Sequence, residues 1–175
     1  MSAIFLIGFR GSGKSALGKR AAEILEVPFV DLDEIFRGKF GEIKDFVVEK
    51  GWDEFRQKEA EILQNFAHSA SSEQAGFSGI IATGGGIIEL EKNREFLAKQ
   101  KTIFIDLPLE VLLHRLTKKA EKRPRLEAGK DLETEIRENF LRRLPLYQKS
   151  AKFSFSPNPE LSKTANAENL AGFLK

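Results

Sequence analysis

Short apolar runs alternate along the chain with longer stretches in which apolar residues recur every three or four positions. The runs fall at 3–7 (Ala-Ile-Phe-Leu-Ile), at Phe29 and Val30 leading into Asp31, at 80–82, at 102–107 and at 153–155. Helical periodicity falls at 15–25, 33–40, 43–50, 52–66, 92–100, 109–122, 132–150 and 165–174. In the first of these stretches Leu17, Ala21, Ile24 and Leu25 share one face. The alternation predicts an α/β fold around a parallel sheet. The polar stretch 68–79 reads as a loop between a helix and a strand. With no repeat and no linker, residues 1–175 read as one domain. Residues 33–60 form an insertion on the core, and 116–128, dense in charge, form a mobile lid.

Bulk properties narrow the class only slightly. A chain of 175 residues can bury one good core. Its net charge of +2 gives no argument for a nucleic-acid partner. The absence of cysteine excludes a disulfide framework and thiol chemistry and fits a reducing compartment. The first apolar run is too short for a signal peptide, and no stretch suffices to span a membrane, so a cytoplasmic, monomeric protein is expected.

Chemistry enters at residues 8–15, Gly-Phe-Arg-Gly-Ser-Gly-Lys-Ser, the G-x-x-x-x-G-K-S spacing of a phosphate-binding P-loop. It lies between the first apolar run and the first helical stretch, the context such a loop needs. Its glycines let backbone N–H groups turn inward around an anion, and the helix N-terminus adds partial positive charge. Gly11, Ser12, Gly13, Lys14, Ser15 and Ala16 are therefore assigned to a nucleotide. Lys14 would reach the β- and γ-phosphates, and the Ser15 hydroxyl would ligate Mg²⁺.

Three further groups gain meaning beside that loop. Asp31-Leu32-Asp33 follows the second strand, at the sheet edge where ligands bind in open α/β folds. One carboxylate can hold Mg²⁺ through water; the other can take the proton of a substrate hydroxyl. Asp33 also suits the N-cap of a helix starting at Glu34. Arg56 and Glu59 share a helix face, so the carboxylate can orient the guanidinium for a bidentate grip on an anion. Taken alone, that pair reads as a surface ion pair. Gly84, Gly85 and Gly86 end the third strand and allow close backbone approach by a ligand. His68 and His114 have no neighbours at metal-ligand spacing, and the many Phe residues read as core.

Taken in order, six motifs resemble the shikimate kinase family: the P-loop, Asp-x-Asp at 31–33, Phe-Arg-x-x-Glu at 55–59, Gly-Gly-Gly at 84–86, Arg-Pro-x-Leu at 123–126 and Arg-x-Pro-Leu-Tyr at 143–147. The resemblance runs from about residue 4 to 147. It implies a nucleoside-monophosphate-kinase-like fold of three layers, with a five-stranded parallel sheet in order 2-3-1-4-5 and a lid. It implies transfer of the ATP γ-phosphate to the 3-hydroxyl of shikimate, with Mg²⁺, in the route to chorismate. By the same resemblance Asp33 would hold the ring hydroxyls and act as base, and Arg56 and Arg143 would clamp the carboxylate. Gly84, Gly85 and Gly86 would add backbone contacts. Arg123 would offset transition-state charge, Arg115 would stack on adenine, and Asp31 and Ser15 would position Mg²⁺. The catalytic set is then Lys14, Asp33 and Arg123.

Arg125 stands where the family commonly has leucine, Trp52 where it is often acidic, and 156–160 departs from the family pattern. A gluconate kinase would share the P-loop but follow Asp-Gly-Asp closely with His-Pro, which 31–35 lacks. A silent kinase-like module would be free to lose Lys14, Asp33 and the arginines. A nucleic-acid-binding NTPase would need a basic stripe outside the phosphate pocket.

Overall fold

The structure, a computed structural model, describes residues 2–71, 77–118 and 131–175, with backbone alone for 67–71. In chain order the elements are β1 (Ile4–Ile7), α1 (Lys14–Leu25), β2 (Phe29–Asp31), α2 (Leu32–Phe40), α3 (Ile43–Ser71), β3 (Ile80–Ala82), α4 (Glu91–Lys99), β4 (Lys101–Ile105), α5 (Leu109–Thr117), α6 (Leu132–Ser150), β5 (Phe153–Phe155) and α7 (Lys163–Leu174). The strands form one five-stranded sheet in the order β2-β3-β1-β4-β5, and every pairing is parallel.

Every residue of β1 is buried. Successive side chains of a strand point to opposite faces, so an unbroken apolar strand signals cover on both sides. Ile4 and Leu6 pack with Leu17, Ala21 and Ala22 of α1 and with Ala167, Leu170, Ala171 and Leu174 of α7. Phe5 and Ile7 face the larger core, built with Phe36, Phe55, Leu63, Leu97, Leu112, Ile136 and Tyr147 from α2 to α6. On the first face α1 lies so close that a Cβ on Gly18 would stand 2.8 Å from Leu6 and 2.9 Å from Phe29.

Register then sets the functional edge. Leu6 pairs with Ala82, and Ala82 pairs with Asp31, so β1, β2 and β3 end almost level. Because the strands are parallel, the segments that follow them (8–15, 31–33 and 84–86) leave the sheet on the same side, at its carboxyl edge.

Element boundaries move for local reasons. The fourth strand ends at Ile105, because Pro108 already caps α5. Helix α7 starts at Lys163, where Ser162 Oγ accepts the Ala165 N–H at 3.1 Å. Stretches 43–50 and 52–66 form the single element α3, broken in conformation at Gly51 (φ 85°, ψ 168°). The expected loop at 68–79 is corrected at its start. Helix α3 continues through Ser71, since neither Gly nor Pro intervenes before Gly76 and His, Ser and Ala do not break a helix. The expected lid beyond Lys118, Arg123 included, lies outside the described residues.

The insertion is held by rings. Phe36, 2 % exposed, has Phe40, Phe46 and Phe55 around it at centroid distances of 5.0, 5.1 and 4.8 Å. Trp52 packs edge-on against Phe55 at 5.6 Å. This cluster fixes α2 against α3 and with them the positions of Asp33 and Arg56. Phe36→Ala should lower stability by about 3–5 kcal/mol, read as a shift of the urea midpoint at unchanged slope. A loss below about 1 kcal/mol would mean that the cluster closes over the cavity without strain.

Candidate active site

The carboxyl edge of the sheet opens into a cavity of about 670 Å³ lined by the P-loop from Arg10 to Leu17, by Asp33, Arg56 and Glu59, and by Thr83 to Gly86 with Arg143. Gly11 (φ 82°) and Gly13 (φ 96°) take the left-handed conformation that curls the P-loop backbone before α1 begins. Lys14, 7 % exposed, donates to the carbonyls of Gly8 (2.8 Å) and Phe9 (3.1 Å) and to Ser12 Oγ (3.4 Å). Its ammonium is thus held at the loop's centre. Arg115 of α5 donates to the Gly11 carbonyl at 3.2 Å, which places a second cation against the same loop. Ser15 and Ala16 also line the cavity.

On the opposite wall charged groups crowd onto the glycines. A Cβ on Gly84 would collide with carboxylate oxygens of Glu59 and Asp33, one on Gly85 with the backbone of Arg10, and one on Gly86 with the Arg56 guanidinium. Glycine is therefore dictated here by the lack of room. Arg56 Nη1 meets Glu59 Oε2 at 2.7 Å, with side chains only 12 % and 5 % exposed. The pair is buried, which corrects the reading as a surface ion pair. The Arg56 guanidinium lies 5.1 Å from the Trp52 ring centroid and 4.9 Å from that of Phe55, so two rings and a carboxylate fix its plane.

Asp31 and Asp33 divide their labour. Asp31 Oδ1 accepts the Asp33 N–H at 2.9 Å and caps α2. This corrects the expected cap at Asp33, because the helix starts at Leu32, two residues before the expected Glu34. Asp33 is left to line the cavity; Asp31 does not line it. Burial raises the Asp33 pKa above its ordinary 3.8, the Asp31 charge raises it further, and Lys14, Arg37 and Arg56 oppose the shift. Burial likewise raises the Glu59 pKa, against the pull of Arg56. The oxygen donors Ser15, Asp31 and Asp33 are hard ligands that fit Mg²⁺. Among the described residues no group of three His, Cys, Asp or Glu side chains is arranged to hold a metal ion by itself. Such an ion would draw most of its ligands from phosphate oxygens and water.

Helix α6 ties these walls together. Glu135 bonds Arg10 at 2.6 Å. The Tyr147 hydroxyl donates to the Gly85 carbonyl, while its ring stacks on Phe104 at 5.2 Å. Glu89, three residues past the glycines, receives Arg143 at 2.6 Å and Arg142 at 2.8 Å. The pattern of the chain gave no sign of Arg10, Glu89 or Glu135. Their partners lie 53 to 125 residues away, and only the opposite charges could have suggested the pairs. The structure brings together Lys14, Ser15, Asp33, Arg56, Gly84–Gly86, Arg115 and Arg143 around one cavity, and leaves Asp31 behind it.

Comparison with known proteins gives one answer. The family model described as shikimate kinase matches residues 10–171. A shikimate kinase of Nitratidesulfovibrio vulgaris is 37 % identical over 153 residues, covering 85 % of this chain and 83 % of its own. A bifunctional shikimate kinase/3-dehydroquinate synthase of Thermotoga maritima is 37 % identical over 163 residues; the match takes in 93 % of this chain and 31 % of that protein. Among solved structures, a shikimate kinase from Acinetobacter baumannii in complex with shikimate superposes with a TM-score of 0.84 at 28 % identity, covering 99 % of this chain and 93 % of the other.

The electrostatics of the Asp pair can be measured directly. In a carbon-13 NMR titration the Asp33 carboxyl should titrate above 3.8. In Asp31→Asn, which retains a capping oxygen, the Asp33 midpoint should move down, since a neighbouring negative charge has been removed. An unmoved midpoint would show that Asp31 does not act on Asp33.

Proposed function

The chain belongs to the shikimate kinase family, and on that premise we propose that it transfers the γ-phosphate of ATP to the 3-hydroxyl of shikimate, giving shikimate 3-phosphate and ADP. One observation carries the reading. A complete P-loop, a buried carboxyl of raised pKa and two arginines on the far wall all face the same cavity. A phosphate donor, a hydroxyl and a carboxylate are what these three features bind.

The chain's own residues supply each part. Backbone N–H groups from Gly11 to Ala16 cradle the β- and γ-phosphates, and Lys14 trades its carbonyl partners for phosphate oxygens. Arg56 and Arg143 hold the acceptor carboxylate, which turns the reacting hydroxyl toward the P-loop. The hydroxyl oxygen bonds to the γ-phosphorus as the bond to the β–γ bridging oxygen breaks. ADP leaves with that electron pair, and the hydroxyl proton passes to Asp33. A carboxylate with a raised pKa is a stronger base than an ordinary one, so burial serves the step. Mg²⁺ bound at Ser15, with Asp31 behind it, would neutralise phosphate charge. Arg123 is assigned to the same phosphates by its motif, and Arg115, seated on the P-loop, is assigned to the nucleotide.

A coupled assay of ADP release tests the reading. Shikimate should support turnover, while gluconate and buffer alone should give no more than background. Arg56→Lys should raise the shikimate KM strongly and leave the ATP KM nearly unchanged, because an ammonium cannot copy the planar fork. Equal effects on both substrates would move Arg56 out of the acceptor site.

Trp52 offers an optical check. It is the only tryptophan, it lines the cavity, and it lies against the arginine assigned to the acceptor. Its fluorescence should respond saturably to shikimate and much less to ATP. A flat titration, in protein shown calorimetrically to bind shikimate, would remove residues 51–59 from the acceptor site.

A further inference from the structure

Arg143 is 4 % exposed and meets Glu89 along one edge only. Glu89 Oε1 takes Nε at 2.6 Å and Nη2 at 2.6 Å, the side-on fork of the guanidinium. Nη1, on the end-on edge, is outside this contact. Arg142 shares the same carboxylate, Nη1 to Oε2 and Nη2 to Oε1, both at 2.8 Å. Its side chain is 53 % exposed, against 5 % for that of Arg143. Two cations thus share one anion.

Its place in the fold gives this cluster a purpose. A second cavity, of about 390 Å³, adjoins the first and is lined by Trp52, Arg56, Glu89, Arg142 and Arg143. Trp52, Arg56 and Arg143 line both cavities. Arg56 already has a partner of this kind, since Glu59 engages one of its terminal nitrogens at 2.7 Å. Glu89 provides the matching support for the second arginine, from the segment that follows β3 rather than from the arginine's own helix. A guanidinium held by its side-on edge has its end-on pair aimed in a fixed direction, and a planar fork loses less entropy on binding when it is already oriented.

We propose that Glu89 is a positioning residue for the acceptor: it grips the side-on edge of Arg143 and so presents the end-on edge to the acceptor carboxylate. The proposal rests on the reading that Arg143 binds that carboxylate. The opposite role would be competition, with Glu89 occupying the arginine until substrate displaces it. The two roles differ in sign. Removing a positioning group weakens acceptor binding; removing a competitor strengthens it. Burial opposes ionisation of Glu89, but the hydrogen bonds and charges of Arg142 and Arg143 together outweigh it and lower its pKa to about 2.

Steady-state kinetics on Glu89→Gln, Glu89→Asp, Arg142→Gln, Arg143→Lys and the Glu89→Gln/Arg143→Lys double variant decide the matter, with folding checked by circular dichroism. Glu89→Gln should raise the shikimate KM about tenfold, the size of one charge-assisted hydrogen bond, with kcat and the ATP KM within about twofold. Glu89→Asp should recover part of the loss and covers the case of a poorly folding Gln variant. Arg142→Gln should stay within about twofold of wild type. In the Arg143→Lys background the Glu89→Gln effect should vanish, as a double-mutant cycle requires of groups acting through one another. A lowered or unchanged KM in Glu89→Gln, an equal loss in Arg142→Gln, or an effect that persists in Arg143→Lys overturns the proposal. If Arg143→Lys itself leaves the shikimate KM unchanged, the assignment of Arg143 fails, and the proposal fails with it. If Arg143→Lys raises the KM and Glu89→Gln does not, the proposal fails alone.

Discussion

Charge held out of water is the constraint that shapes this protein. Arg56, Glu59, Glu135 and Arg143 are all largely or wholly buried, and a lone buried charge of this kind would cost several kcal/mol. Each is matched to an opposite charge within 2.6–2.7 Å. Two of the pairs bridge elements that the sheet alone would not join: the P-loop to α6, and the segment after β3 to α6. The glycines at 84–86 are the other side of this arrangement. They give up their side chains so that Asp33, Glu59, Arg56 and the Arg10 backbone can converge on one wall.

Function follows from how that charge is distributed. On the proposed phosphate side Lys14 and Arg115 both bond to P-loop carbonyls. On the proposed acceptor side Arg56 and Arg143 meet Glu59 and Glu89, and Asp33 lines the same cavity. Its burial would be a liability in a purely structural residue, since it raises the pKa and weakens the charged form. In a proton acceptor the same burial is useful. The proposed role of Asp33 as proton acceptor draws its support from this electrostatic setting.

Much of this was legible in the chain because the signals are local. The P-loop spacing, the Arg56–Glu59 interval and the glycine run each lie within eight residues, and the periodicities around them placed all five strands in the observed sheet. Where local pattern carried ambiguity, tertiary packing decided. Asp31 became the cap because α2 starts at Leu32, and the Arg56–Glu59 pair became interior because the insertion folds over it. Glu89, Glu135 and the Tyr147 hydroxyl were illegible for a different reason. Each acts on a partner more than fifty residues away, and a single sequence holds no record of that distance. The end of α3 at Ser71 was misread because a polar composition is not a helix stop.

Helix α6 touches the site through Glu135, Arg143 and Tyr147, positions that span about 18 Å at 1.5 Å per residue. They sit eight and four residues apart, which turns the helix by about 80° and then about 40°, so the three spread over about a third of its circumference. Inserting one residue between any two would rotate the remainder by about 100° and carry its anchors away from the cavity. The helix is thus length-locked. Gaps in this lineage should collect in its surface connections, and grafts or circular permutations that cut the chain between 135 and 147 start at a disadvantage that no surface substitution repairs.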